Sequence, residues 1–204
     1  MMPPDERSSA SSGGDAPGRQ LMRRDERRGQ ILAAAKRAFL RSGFAATGLE
    51  DVASHAEITK VLIYRHFDSK ADLYRAALND TRARVRSATG GADRLGEESF
   101  GALVAVADED PDGFRLLYRH AVREPEFRAY AQEFRDRAAT VAERYLRELV
   151  PDAGRRQWAA RLVPVLTLET IMSWLDAGRP APEEEVAVAV NGSIDGFLAA
   201  VAAE

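Results

Sequence analysis

Cysteine is absent from the 204 residues, which excludes disulfides, thiolate metal sites and cysteine nucleophiles. Histidine is nearly as scarce. The three are His55, His66 and His120, without the paired His/Glu spacing of a metal site on helices. An enzyme built on a helical bundle is therefore disfavoured, and no cofactor or metal is expected. No uninterrupted run of about 18 apolar residues occurs, so no membrane span is expected. The first residues also lack the apolar stretch of a secretory signal, which makes a cytoplasmic location the simplest expectation. Alternating strand patterns of useful length are missing throughout, and the fold class that remains is all-α.

Hydrophobic residues make up 45% of the chain, enough for a packed core, and the formal net charge is −3. That small value hides an asymmetry. Residues 19–86 hold 15 Arg/Lys against 8 Asp/Glu (+7), residues 87–204 hold 13 against 21 (−8), and residues 1–18 hold 1 against 3 (−2). A basic block followed by an acidic one suggests that only the first approaches a polyanion. Residues 1–20 are rich in Ser, Gly, Pro and Asp, too poor in apolar side chains to offset their ordering entropy. They read as a disordered tail, with Arg19, Arg23 and Arg24 at its end. Residues 21–86 and 87–204 read as two helical domains.

From Arg24 the pattern turns helical. Ile31, Ala34, Ala35, Ala38 and Phe39 recur at three- and four-residue spacing, the stripe of an amphipathic helix. Gly43 suits a left-handed position after its last turn, with Phe44 folding back on Phe39. Thr47-Gly48-Leu49-Glu50 reads as a capping box, followed by a short helix whose buried face is Leu49, Val52, Ala53 and Ala56. Glu57-Ile58 forms a turn. Thr59 caps the next short helix, with Ile58 and Ile63 as a hydrophobic staple, and Ser69 caps a fourth. Two short helices joined by a tight turn within a basic three-helix unit is the plan of a helix-turn-helix, here over 47–66.

The stretch Arg28–Leu78 resembles the N-terminal DNA-binding domain of the TetR/AcrR family of transcriptional regulators. It carries Ala35, Phe39, Gly43-Phe44, Thr47, Val52-Ala53, Ile58-Thr59-Lys60, Ile63-Tyr64-Arg65-His66-Phe67, Ser69-Lys70 and Leu73. The Tyr-x-His-Phe-x-Ser-Lys segment is its sharpest part. The resemblance implies that the helix over 59–66 enters the major groove of a palindromic operator in double-stranded DNA. Thr47 and Thr59, at helix starts, would meet phosphates. Tyr64, His66 and Lys70 would clamp the backbone, and Lys60 and Arg65 would reach phosphate or guanine edges. Two departures from the family pattern stand out. Glu57 occupies a turn position where glycine is common, so it must adopt positive φ or the turn must differ. Val61 and Leu62 are larger and more apolar than usual, which raises the choice between thymine methyl contact and packing inside the domain.

Beyond residue 90 the pattern shows architecture more than chemistry. Helices are expected from Phe100, from Pro111, from Pro125 to before Pro151, from Ala153 to Ala177 with a kink at Pro164, and over a last stripe of Val186, Val190, Ile194, Phe197, Leu198 and Val201. That makes about nine helices in all. The resemblance implies a homodimer through the last two helices, where Gly192 and Gly196 would admit a second backbone. It also implies a pocket for a small-molecule inducer among the middle helices. Phe100, Leu103, Phe114, Leu117, Tyr118, Tyr130, Phe134, Trp158 and Met172 are its candidate walls, and His120 and Arg119 its candidate polar anchors. The expected function is a repressor released from its operator by that inducer. The alternative is an interaction module that kept the helix-turn-helix shape without operator binding.

Overall fold

A computed structural model describes residues 17–90 and 97–202. Their order is α1 (Pro17–Ala46), α2 (Leu49–His55), α3 (Lys60–Tyr64), α4 (Lys70–Ala88), α5 (Glu97–Glu109), α6 (Pro111–Arg115), a π-helical turn (Leu116–His120), α7 (Arg128–Tyr145), α8 (Ala153–Asp176) and α9 (Glu183–Ala202). The described residues contain nine α-helices and no strand, so the all-α expectation holds.

Helix α1 starts earlier than its apolar stripe. Pro17 is its first residue, a position where the missing N–H costs nothing. Pro17–Gln20, expected in a disordered tail, are thus helical, and the rest of that tail lies outside the described residues. Ile31, Ala34, Ala35, Ala38 and Phe39 are buried as the periodicity requires. At Gly43 the helix breaks with φ 75° and ψ 170°. The positive φ was expected, but the extended ψ makes this a break rather than a left-handed cap. The freed N–H of Phe44 donates to Glu124 Oε1 at 2.9 Å, so the break is held by the second half of the chain. Phe39, Phe44, Tyr74 and Phe127 then stack in one cluster, with ring centroids 4.3–6.1 Å apart.

The capping box at α2 differs from its expected form. Gly48 is the N-cap, and its N–H donates to Asp51 Oδ2 at 2.7 Å. Thr47, only 2% exposed, turns its hydroxyl inward to the carbonyls of Gly43 (2.6 Å) and Ala38 (3.2 Å). The staple and cap at α3 follow expectation, with Thr59 Oγ1 accepting from Leu62 N–H and Ile63 fully buried. Glu57 does adopt φ 55°, a left-handed conformation costly for a residue with a Cβ.

Helix α4 joins the two halves. It packs on α1 and also on α5 and α6. Where α1, α4 and α6 meet, Lys36 (3% exposed) is ion-paired with Asp80 at 2.7 Å and with Asp110. Asp110 also caps α6 through Gly113 N–H (3.0 Å) and accepts from Thr81 Oγ1 (3.2 Å). A Cβ on Gly113 would collide with Thr81 and Asp110, so glycine is what lets α6 approach α4.

Helix α7 begins later than expected. Pro125 lies in a turn, and Phe127 is the N-cap, buried in the aromatic cluster. Helix α8 runs through Pro164 from Ala153 to Asp176. Helix α9 is by length and composition long enough and apolar enough to cross a bilayer. Its Val186, Val190, Ile194, Leu198 and Val201 form a buried stripe that packs on α5 and α8, while most of the helix surface stays uncovered.

Candidate nucleic-acid interface and ligand cavity

The outer face of α3 is built by what its inner face must bury. Ile63 and Phe67 go into the core, which at helical spacing turns Thr59, Val61, Tyr64 and Arg65 to solvent. Val61 is 65% exposed, whereas Leu62 is half-buried. Only Val61 therefore offers its methyl groups freely outward. Lys60 does not project alone. Its ammonium pairs with Glu50 of α2 and lies 5.9 Å from the Tyr64 ring. That hydrogen bond is the main cause lowering the Glu50 carboxyl below its ordinary range and raising Lys60.

His66, at the end of this segment, is half-buried and beside Phe67. Burial chiefly, and then the charges of Arg24, Arg28 and Arg27, hold its pKa below the ordinary value of 6.5. Arg28 in turn lies 4.5 Å over the Phe67 ring. The exposed stretch 24–28 of α1 thus places three arginines near His66, just beyond the end of α3. In the sequence Arg27 and Arg28 carry no signal beyond the charge of the basic block.

Two of the expected phosphate-contacting residues make contacts within the protein. The Thr47 hydroxyl is buried and donates to protein carbonyls. Lys70 turns its ammonium to the carbonyls of Phe44 (2.8 Å) and Ala45 (3.2 Å), over the Phe44 ring at 4.5 Å. It satisfies the carbonyls left open where α1 breaks, and so braces α4 against α1.

A cavity of about 800 Å³ opens between α4, α5, α7, α8 and the π-helical turn. Of the expected walls, Phe100, Leu103, Tyr118, Phe134 and Met172 line it, as does Arg119. Phe114 and Leu117 do not, because they are packed in the core beneath. His120 is half-buried but outside the lining, its pKa lowered mainly by burial. Tyr130 is spent outside the lining on a hydrogen bond to Asn79, under Arg82. Trp158, 55% exposed, faces outward with Phe197. Burial pushes the Tyr118 phenol well above its usual range, so it is a neutral group in the lining.

The cavity wall also carries residues the sequence did not suggest: Arg82, Arg86, Arg135, Arg137 and Arg161. By sequence Arg82 and Arg86 belong to the basic block of residues 19–86. Among the described residues no group of three or more His, Asp or Glu side chains is placed to hold a metal.

Residues 31–77 match the family model described as bacterial regulatory proteins, tetR family. The chain is 30% identical over 197 residues to the HTH-type transcriptional activator FasR of Mycolicibacterium smegmatis, covering 90% of this chain and 86% of that one. A TetR-like regulator from Rhodococcus sp. RHA1 superimposes with a TM-score of 0.72 at 21% identity, over 85% of this chain and 96% of that one. FadR of Bacillus subtilis, solved in complex with stearoyl-CoA, superimposes with a TM-score of 0.63 at 14% identity, over 81% and 96%.

Proposed function

The chain belongs to the TetR family of bacterial transcriptional regulators, and we propose that it represses by holding a palindromic operator with two copies of α3, releasing it when a ligand fills the cavity. The observation that carries this reading is the outward face of α3. A short helix with Val61, Tyr64 and Arg65 exposed beside Arg24, Arg27 and Arg28 combines groove-reading side chains with phosphate-binding ones. Residues 21–86 act as the DNA-binding unit, and 87–204 as the unit that dimerises and senses. Thr59, Val61, Tyr64 and Arg65 face the groove, His66 and the α1 arginines face phosphate, and Lys60 joins them once it leaves Glu50.

The paired subunit belongs on α8 and α9. Trp158 and Val188 (55% and 71% exposed) leave an apolar surface there, and a Cβ on Gly192 or Gly196 would meet nothing. A two-fold dimer presents two recognition helices to a palindrome. Effector control is supported by the cavity's size, within the roughly 300–1,000 Å³ of small-molecule sites, and by FadR, whose structure of the same fold holds stearoyl-CoA. Ligand binding shifts the dimer toward a form whose recognition helices no longer match the operator.

The test is selection of bound sequences from random duplex DNA, followed by gel shifts at rising salt. A palindromic consensus with a linear loss of log affinity against log salt is expected. Val61→Ala should weaken operators containing thymine more than the same operators built with uracil. Retention of no duplex even in dilute buffer would refute DNA binding, and a reporter switched on by the protein would refute repression.

A further inference from the structure

The cavity's charge is one-sided. Six arginines line it against a single carboxylate, Glu169. Three of them are already occupied: Arg119 by Asp176 and Glu169, Arg135 by the Tyr118 carbonyl, and Arg137 by Glu133. Arg82, Arg86 and Arg161 have no acidic partner among the described residues. The remaining lining is largely apolar. We infer that the effector is a single-chain amphiphile with an anionic head, its chain among Phe100, Leu103 and Met172 and its head between Arg82, Arg86 and Arg161. This rests on the reading of the cavity as the effector site.

Placement supports the assignment of head and chain. Arg86 and Arg161 are exposed yet line the cavity, which puts them at its mouth, where a hydrated anion can sit. Arg82 is half-buried and lies over the rings of Tyr130 (4.5 Å) and Phe134 (5.4 Å). Stacking fixes its guanidinium in advance, so little side-chain entropy remains to be lost on binding. A cationic ligand would meet three unneutralised charges, and a neutral one would gain hydrogen bonds from them without charge pairing.

The position of the anion also suggests how it acts. Arg82 and Arg86 lie one turn apart on α4, whose opposite end is braced to the break in α1 by Lys70. A head group drawing these arginines toward Arg161 of α8 pulls on the helix that carries the DNA-binding unit. Both a carboxylate and a phosphate-bearing acyl thioester have the required chemistry.

Calorimetric titration of the full-length, delipidated protein decides it, with hexadecanoate, hexadecanoyl-CoA and 1-hexadecanol, each below its aggregation threshold. At least one of the two anions is expected to bind about tenfold or more tighter than the alcohol. Arg86→Gln and Arg161→Gln should each weaken that anion by roughly tenfold, with the alcohol and the melting temperature unchanged. Preference for hexadecanoate assigns the head as a carboxylate, and preference for hexadecanoyl-CoA assigns it as a phosphate. Equal affinity for alcohol and anions, no binding of either anion, or anion binding indifferent to both substitutions overturns the inference. Operator binding by the same preparations separates the two readings. Retained DNA with no anion binding removes only the ligand class, whereas lost DNA binding removes the proposed function and leaves the titration standing.

Discussion

Lys36→Met should be the most destabilising conservative change in the N-terminal half. Lys36 is 3% exposed and is the shared cation of Asp80 and Asp110. Removing one partner of a buried ion pair costs about 3–5 kcal/mol, because the charge left behind stays desolvated. Here each carboxylate keeps other donors. Asp110 retains Thr81 Oγ1 and Gly113 N–H, and Asp80 retains Arg84 Nε at 3.3 Å. The loss therefore belongs at the lower end, about 3 kcal/mol. For a chain of this size that is a fall in melting temperature of roughly 6–12 °C. Scanning calorimetry at one fixed protein concentration measures it. A companion variant, Lys36→Met with Asp80→Asn and Asp110→Asn, strands no charge and should recover at least half of the loss. A fall below about 2 °C for the single variant, or a triple variant melting lower than the single one, would refute the view that the pair is desolvated.

Glu50→Gln frees Lys60 from its acidic partner, so DNA affinity should rise and the slope of log affinity against log salt should steepen by about 1; an unchanged slope in a gel-shift series would show that Lys60 does not reach the duplex. The Tyr74 hydroxyl is the one buried side-chain polar atom without a partner among the described residues. Tyr74→Phe should therefore hold or raise stability, by up to about 1 kcal/mol in urea titration, and a clear loss would reveal a partner. His66 and His120 both bind protons more weakly folded than unfolded. Stability should be full above the ordinary histidine value of 6.5 and fall as pH drops below it, by less in His120→Gln. DNA affinity should move the other way, tightening on mild acidification as phosphate favours the charged His66, and His66→Gln should flatten that profile.

The legible part of the fold was the part governed by local rules. Stripes of three- and four-residue spacing placed every long helix, and Thr59 with Ile58 and Ile63 placed α3 because cap and staple are made within six residues. Boundaries failed where a distant group decides them. Gly43 could be read as a break, but not its ψ of 170°, which is set by Glu124 some eighty residues away. Pro125 marks a turn rather than a helix start because Phe127 must reach Phe44 and Tyr74. Of the cavity walls, the aromatic residues found were those on helix faces turned to the void. Phe114 and Leu117 have the same composition and spacing but lie one layer deeper, a difference that periodicity does not encode.

Charge shows the same limit more sharply. The basic excess of residues 19–86 suggested a unit that approaches a polyanion, yet seven of its fifteen cations are engaged elsewhere. Lys36 is buried with two aspartates, Lys70 caps carbonyls, Arg75 pairs with Glu126 and Arg84 with Asp80, Lys60 is held by Glu50, and Arg82 and Arg86 face the cavity. What remains beside α3 is Arg24, Arg27, Arg28 and Arg65. Helix α4 explains the discrepancy, since it belongs to one unit at its start and to the other at its end, and a count along the chain assigns all its charge to one. The phosphate contacts per subunit should accordingly be fewer, and the salt slope shallower, than the fifteen basic residues of the block would imply. On the proposed function, operator affinity should lean on pairing of two subunits and on Val61 and Tyr64 in the groove, and a modest displacement of α4 should be enough to break it.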